Sequence, residues 1–175
     1  MTTFQDQDFE RFNDRSDFAI SLLANLSDMF VAMDSVSATE DAIAYAGRLF
    51  ARELTERLME QNGDEPLDHK DLAEAMVEMK RRIGGEFDIV SADPEKIVLR
   101  ARVCPFGKRV VGRPQLCTMT KQVFAQMAED HVGHGQVDIP KSIARGDRAC
   151  EVVINLVPQK RRSGTQQPDE MVGVY

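Results

Sequence analysis

Cys104, Cys117 and Cys150 are the residues of this chain best suited to chemistry. A thiolate is the softest ligand and the strongest nucleophile that a side chain supplies. Twelve residues separate the first pair and thirty-two the second, so neither zinc-ribbon nor thioredoxin CxxC spacing is present. Convergence in the fold is therefore the requirement for shared chemistry. Three thiolates on one tetrahedral metal leave a ligand missing. His134, in Gly133-His134-Gly135, and His131 are the protein candidates, and water or a substrate is the other. The metal centre expected is zinc, or an iron–sulfur cluster with one open iron, held by Cys104, Cys117, Cys150 and His134. Two other readings compete. Cys104 or Cys117 could attack a substrate with His134 as base, as in a Cys-dependent hydrolase or reductase of a small ring compound. Alternatively the thiols only fill core space in a non-catalytic interaction protein.

The elements around the thiols follow from hydrophobic period. Residues 8–33 read as an amphipathic helix with Phe18, Leu22, Leu26, Met29 and Met33 on one face, widened by Ile20, Leu23 and Phe30. After a break at 34–37, Ser37-Ala38-Thr39-Glu40 fits a capping box. It opens a second helix to Gln61, with the stripe Ile43, Ala46, Phe50, Leu54 and Leu58. Asp68 caps a third helix over 69–83, whose inward residues are Leu72, Met76, Met79 and Ile83. Lys80, Arg81 and Arg82 fall at its C-terminal dipole end, and Gly84-Gly85 stops it. His69, early in that helix, is expected to be exposed. The period then changes to two, giving a hairpin of strands 87–91 and 97–103 that delivers the chain to Cys104. Cys117 begins a fourth helix near 115–130, where a helix N-terminus would lower its pKa. Strands 136–139 and 150–157 follow, so Cys150 opens the last one. Arg145-Gly146-Asp147 reads as a tight turn. The fold class expected is α+β: a small antiparallel sheet covered by helices, with an N-terminal amphipathic helix.

Composition narrows the function classes. The chain has 175 residues, long enough for a core without disulfides, and 42% hydrophobic residues, as in a globular protein. A net charge of −7 disfavours direct nucleic-acid binding, since the one compact basic run is Lys160-Arg161-Arg162 in a polar tail. No apolar run reaches membrane-spanning length. An acidic start with no apolar leader, and an odd cysteine count, point to a reducing, cytoplasmic setting. The organisation expected is 1–36 as an N-terminal helix able to dimerise, 37–157 as a sensory or ligand-binding domain, and 158–175 as a disordered tail.

Several stretches carry a family resemblance. They are Cys104-Pro105-Phe106-Gly107, Gly112-x-Pro114-x-Leu116-Cys117-x-Met119-Thr120 with Val123-Phe124, and Ile143-Ala144-x-Gly146-Asp147-x-x-Cys150-x-Val152. Together they resemble the methanogen output domain family, itself similar to 4-vinyl-reductase-type (hydrocarbon-binding) domains, over residues 40–157. The resemblance implies a signalling or sensory module, standing alone or attached to signalling proteins. It also implies a small apolar ligand, with Cys and His residues near a metal, and places Cys104, Cys117 and Cys150 at the site. His134 has no counterpart in it. The reading is a cytoplasmic sensor that binds a metal, an iron–sulfur cluster or a small apolar ligand at the three cysteines and reports to a signalling partner. The N-terminal helix would serve a homodimer.

Overall fold

The computed structural model describes residues 15–32 and 36–158. Met33, the tail with Lys160-Arg161-Arg162, and the side chains of Phe18, Ile20 and Phe30 lie outside the described residues. Three helices come first: α1 (Arg15–Ala32), α2 (Val36–Gln61) and α3 (His69–Arg82). The hairpin β1 (Glu86–Ala92) and β2 (Lys96–Val103) follows, then two 3-10 turns at Gly107–Val110 and Pro114–Leu116. Helix α4 (Cys117–Val132), β3 (Gln136–Lys141), a 3-10 turn at Ile143–Arg145 and β4 (Cys150–Asn155) complete the domain. The four strands form one antiparallel sheet in the order β1-β2-β4-β3. This is the α+β class that the change of period dictates.

Alternation along the central strands aims Ile97, Leu99 and Ala101 of β2, and Val152 and Ile154 of β4, at the helices. Leu72, Ala73 and Met76 of α3 and Phe124, Met127 and Ala128 of α4 meet them, all buried. Phe87 and Phe124 pack edge to face with ring centroids 6.4 Å apart. Asp68 caps α3 as its sequence requires, its carboxylate accepting from the Lys70 and Asp71 amides at 2.8 and 3.0 Å. Gly84 ends that helix in the left-handed region at φ +81.

Both edges of the sheet are irregular. The β1–β2 register shifts twice, between Glu86 and Phe87 and between Ile89 and Ser91. The β3–β4 register shifts between Asp138 and Lys141, a stretch that includes Pro140.

The first two helices depart from the expected pattern. Helix α2 is already helical at Val36, so Ser37 lies inside it and is not its N-cap. Its packed face is Ile43, Ala44, Gly47, Ala51 and Thr55, while Ala46 and Phe50 of the expected stripe are exposed. Gly47 explains the rotation. A Cβ there would lie 3.2 Å from Gln122 Cβ and 3.3 Å from Met119 Sδ, so the small face lets α2 press closely on α4. In α1, Leu22, Leu26 and Met29 point to solvent, whereas Ala24 and Ser27 face the domain. Polar anchors fix that orientation. Arg113 donates from Nε and Nη2 to the two Asp28 carboxylate oxygens, each at 2.6 Å, and Gln115 Nε2 donates to Ser27 Oγ at 2.9 Å. The Arg113 bonds hold the Asp28 carboxyl below its usual range.

Candidate functional site: a thiol-ringed cavity and an adjoining groove

Each thiol reaches its place by a separate local device. Cys150 pairs with Ala101 in the β2–β4 register, so β2 overruns the start of β4 and turns into Cys104 beside it. The Cys104-Pro105-Phe106-Gly107 stretch is a turn closed by the Gly107 amide on the Cys104 carbonyl at 2.8 Å. Gly85 seats this turn against the end of α3, since a Cβ on it would lie 2.9 Å from Pro105 Cγ. The loop then doubles back. Val110 is buried with Ile43, Leu116 and Ala144, and the Gly112 amide donates to the Ala144 carbonyl at 2.9 Å. That return brings Cys117, the first residue of α4, to the same place.

The Gly146-Asp147 pair builds the third side. Gly146 takes the left-handed conformation at φ +94. The Asp147 carboxylate accepts the Ser142 amide at 2.7 Å, and the Asp147 amide donates to the Ser142 carbonyl at 3.1 Å. The tightened loop aims the Ile143 amide at Cys150 Sγ, 3.3 Å away.

Cys104, Cys117 and Cys150 thus line one cavity, walled also by Phe87, Pro105, Phe106, Val110, Leu116, Thr120, Ile139 and Val152. Its centre admits only a water-sized group. The three are free, half-buried thiols. Burial pushes Cys104 up to about 11 and raises Cys117 and Cys150 as well. The expected lowering of Cys117 at a helix start is therefore reversed, because desolvation, helped by the neighbouring Cys150, outweighs the lowering by Ser142, Arg145 and Lys121. At neutral pH the site presents protonated thiols.

The sequence reading missed Lys80. Instead of extending into solvent at the end of α3, it is 3% exposed. Its ammonium donates to Thr120 Oγ1 at 2.9 Å and sits 5.0 Å from the Phe124 ring centroid and 5.8 Å from that of Phe87. No carboxylate among the described residues pairs with it. Burial lowers its pKa to about 8, and ionising any of the three thiols would raise it again. The signal was available in the spacing: Ala73, Met76 and Lys80 recur at i, i+3 and i+7 on the buried face.

A second hollow adjoins the first. It spans about 950 Å³, its open mouth included, and is lined by Ala19, Leu23, Phe50, Met79, Ile83, Met119 and Val123 together with Lys80. Pro105 and Phe106 belong to both hollows and form the partition between them.

The histidines are elsewhere. His134 lies past the C-terminal end of α4, and the 16-residue helix puts it ~24 Å from Cys117 at the other end. It joins neither a metal set nor a nucleophile–base pair with the thiols. His131 is buried, and its Nδ1 accepts the Leu67 amide at 3.1 Å, tying the loop before α3 to α4. His69 is half-buried at the start of α3. Among the described residues, no three His, Cys, Asp or Glu side chains are grouped so as to hold a metal ion. The three thiols line one cavity, and His134 is not among its walls.

Fold and site together define an α+β domain with thiols gathered at the join of its helices and sheet. The chain belongs to the methanogen output domain 1 family, whose model matches residues 26–155. It is thus a signalling-related output module, a class that acts through a partner. The match begins inside α1, upstream of the 40–157 stretch that carries the motifs. No curated protein matches the sequence. Among solved structures, trafficking protein particle complex subunit 3 from Naegleria fowleri, covalently bound to palmitic acid, is similar in fold. The TM-score is 0.57 at 15% identity, covering 83% of this chain and 97% of that one. No helix among the described residues is long and apolar enough to cross a membrane.

Proposed function

We propose that this output domain senses a small apolar ligand, seated in the groove between α1, α2, α3 and α4 and abutting the thiol cavity through Pro105 and Phe106. The observation that carries this reading is the groove itself: a roomy hollow whose lining, among the described residues, is apolar but for Lys80. Ligand pockets are concave and mostly apolar with few polar groups. The structural neighbour, similar in fold, is itself covalently bound to palmitic acid, which supports the reading. Signalling would proceed by the ligand shifting α1 and the Cys104–Gly107 turn, both of which contribute to its walls, and a partner protein reading that change. Leu23→Trp, which fills the groove from α1, should abolish binding of an apolar fluorescent probe while leaving the thermal unfolding midpoint near wild type. Unchanged probe binding in that variant would end the proposal.

A second reading keeps the cysteines as a zinc or iron–sulfur site after rearrangement. It is favoured by their convergence on one cavity and by the Ile143 amide on Cys150, since N–H donors stabilise ligating sulfur. Metal analysis with visible absorption of anaerobically purified protein tests it. Metal-free protein with three independently reactive thiols excludes a shared centre.

A further inference from the structure

Lys80 sharpens the identity of the ligand, and the argument rests on the apolar-ligand reading above. Lysines are almost never fully buried unless paired, because an isolated interior charge is costly. This one lies at 3% exposure with one hydroxyl, two aromatic faces and three thiols around it. A lysine ammonium has three donors, and Thr120 takes one. Among the described residues, Lys80 is also the only charged one in the groove lining. A neutral hydrocarbon would leave its charge without a counter-ion.

We infer that the groove takes an apolar carboxylic acid, its carboxylate on the Lys80 ammonium and its hydrocarbon body along Leu23, Met79, Ile83 and Met119. The donor set selects the head group. One ammonium, with two donors left after Thr120 takes the third, satisfies a monoanion with two oxygens. A phosphate dianion calls for an arginine fork or a nest of amides, and among the described residues of the groove lining there is no arginine. The pairing also gives Lys80 the opposite charge that its place lacks, so binding relieves a cost already present in the unliganded protein.

The test uses delipidated full-length protein and two probes of equal chain length, decanoate and decanol, titrated by calorimetry at pH 7. Wild type should bind decanoate at least tenfold more tightly than decanol. Lys80→Met, similar in length and uncharged, should erase that preference. Equal affinities in wild type overturn the carboxylate assignment, and so does a preference that survives in Lys80→Met. The wild-type comparison needs no variant, so it stands even where Lys80→Met misfolds. Binding of neither probe sinks the apolar-ligand reading and this inference with it, whereas binding of decanol alone sinks only the carboxylate.

Discussion

Replacing Lys80 by Met should change how stability responds to pH, and the size follows from the burial of the ammonium. In the ligand-free protein this lysine titrates at about 8 against an ordinary 10.5. Each unit of pKa difference is worth ~1.4 kcal/mol, so the full effect is on the order of 3 kcal/mol. The sign is fixed by proton counting. Between pH 8 and 10.5 the unfolded chain holds the lysine proton and the folded chain releases it. Stability contributed by this group therefore rises with pH across that window and is lost as pH falls through it. The thiols act the other way, since Cys104 is raised from 9.0 to about 11, but they are present in both proteins. The quantity to measure is thus the stability of Lys80→Met minus that of wild type, from urea unfolding under reducing conditions at pH 7 and 9.5. That difference should fall by about 2 kcal/mol over this interval. A constant difference would refute the reasoning, because it would mean that Lys80 keeps its proton, held by an ionised thiol.

Two further substitutions probe the devices that place the thiols, and a third probes the buried His131. Gly85→Ala puts a Cβ 2.9 Å from Pro105 Cγ, so the Cys104–Gly107 turn must move. We expect a loss of about 1–3 kcal/mol and faster alkylation of Cys104, read by denaturation and peptide mapping. Asp147→Ala removes the acceptor of the buried Ser142 amide, costing about 1–3 kcal/mol, and should speed alkylation of Cys150 as the Ile143 amide loses its aim. His131 is held below its ordinary 6.5 by burial, so its contribution to stability is full above that value and lost as pH falls beneath it. His131→Asn, whose side-chain oxygen can still accept the Leu67 amide, should flatten the fall in unfolding midpoint between pH 7.5 and 5.5. An equally steep fall in the variant would assign the acid sensitivity to other groups.

The hairpin, the Asp68 cap and the boundary positions of all three cysteines were legible because each is written in local pattern. Period two marks β2, an Asp before a helical run marks the cap, and Cys104 directly follows the alternating strand. Convergence of the thiols was not legible, because it depends on two long-range details. One is the Gly112 amide reaching Ala144, and the other is the register that sets Cys150 beside Ala101. The α1 stripe misled because amphipathicity identifies an apolar face without saying what covers it. Leu22, Leu26 and Met29 are exposed, and the domain is met instead by Ser27 and Asp28 through Gln115 and Arg113. His134 misled for a simpler reason: Cys117 was placed at the start of a helix and His134 past its end, but the length of the helix between them was not turned into a distance. Lys80 was read as a dipole-end charge because its residue type was given more weight than its spacing.

The irregular borders of the sheet bear on how such a module passes on its message. Unbroken border strands invite another chain to dock by continuing the hydrogen-bond ladder, and kinks or a proline remove that invitation. Here β1 is kinked twice and β3 carries Pro140 within its own displaced stretch. The sheet is therefore a poor template for an incoming strand at either side. On the function proposed above, information leaving this domain would pass through helical surface, and α1, which lines the groove at Ala19 and Leu23 and turns Leu22, Leu26 and Met29 outward, touches both the groove and solvent.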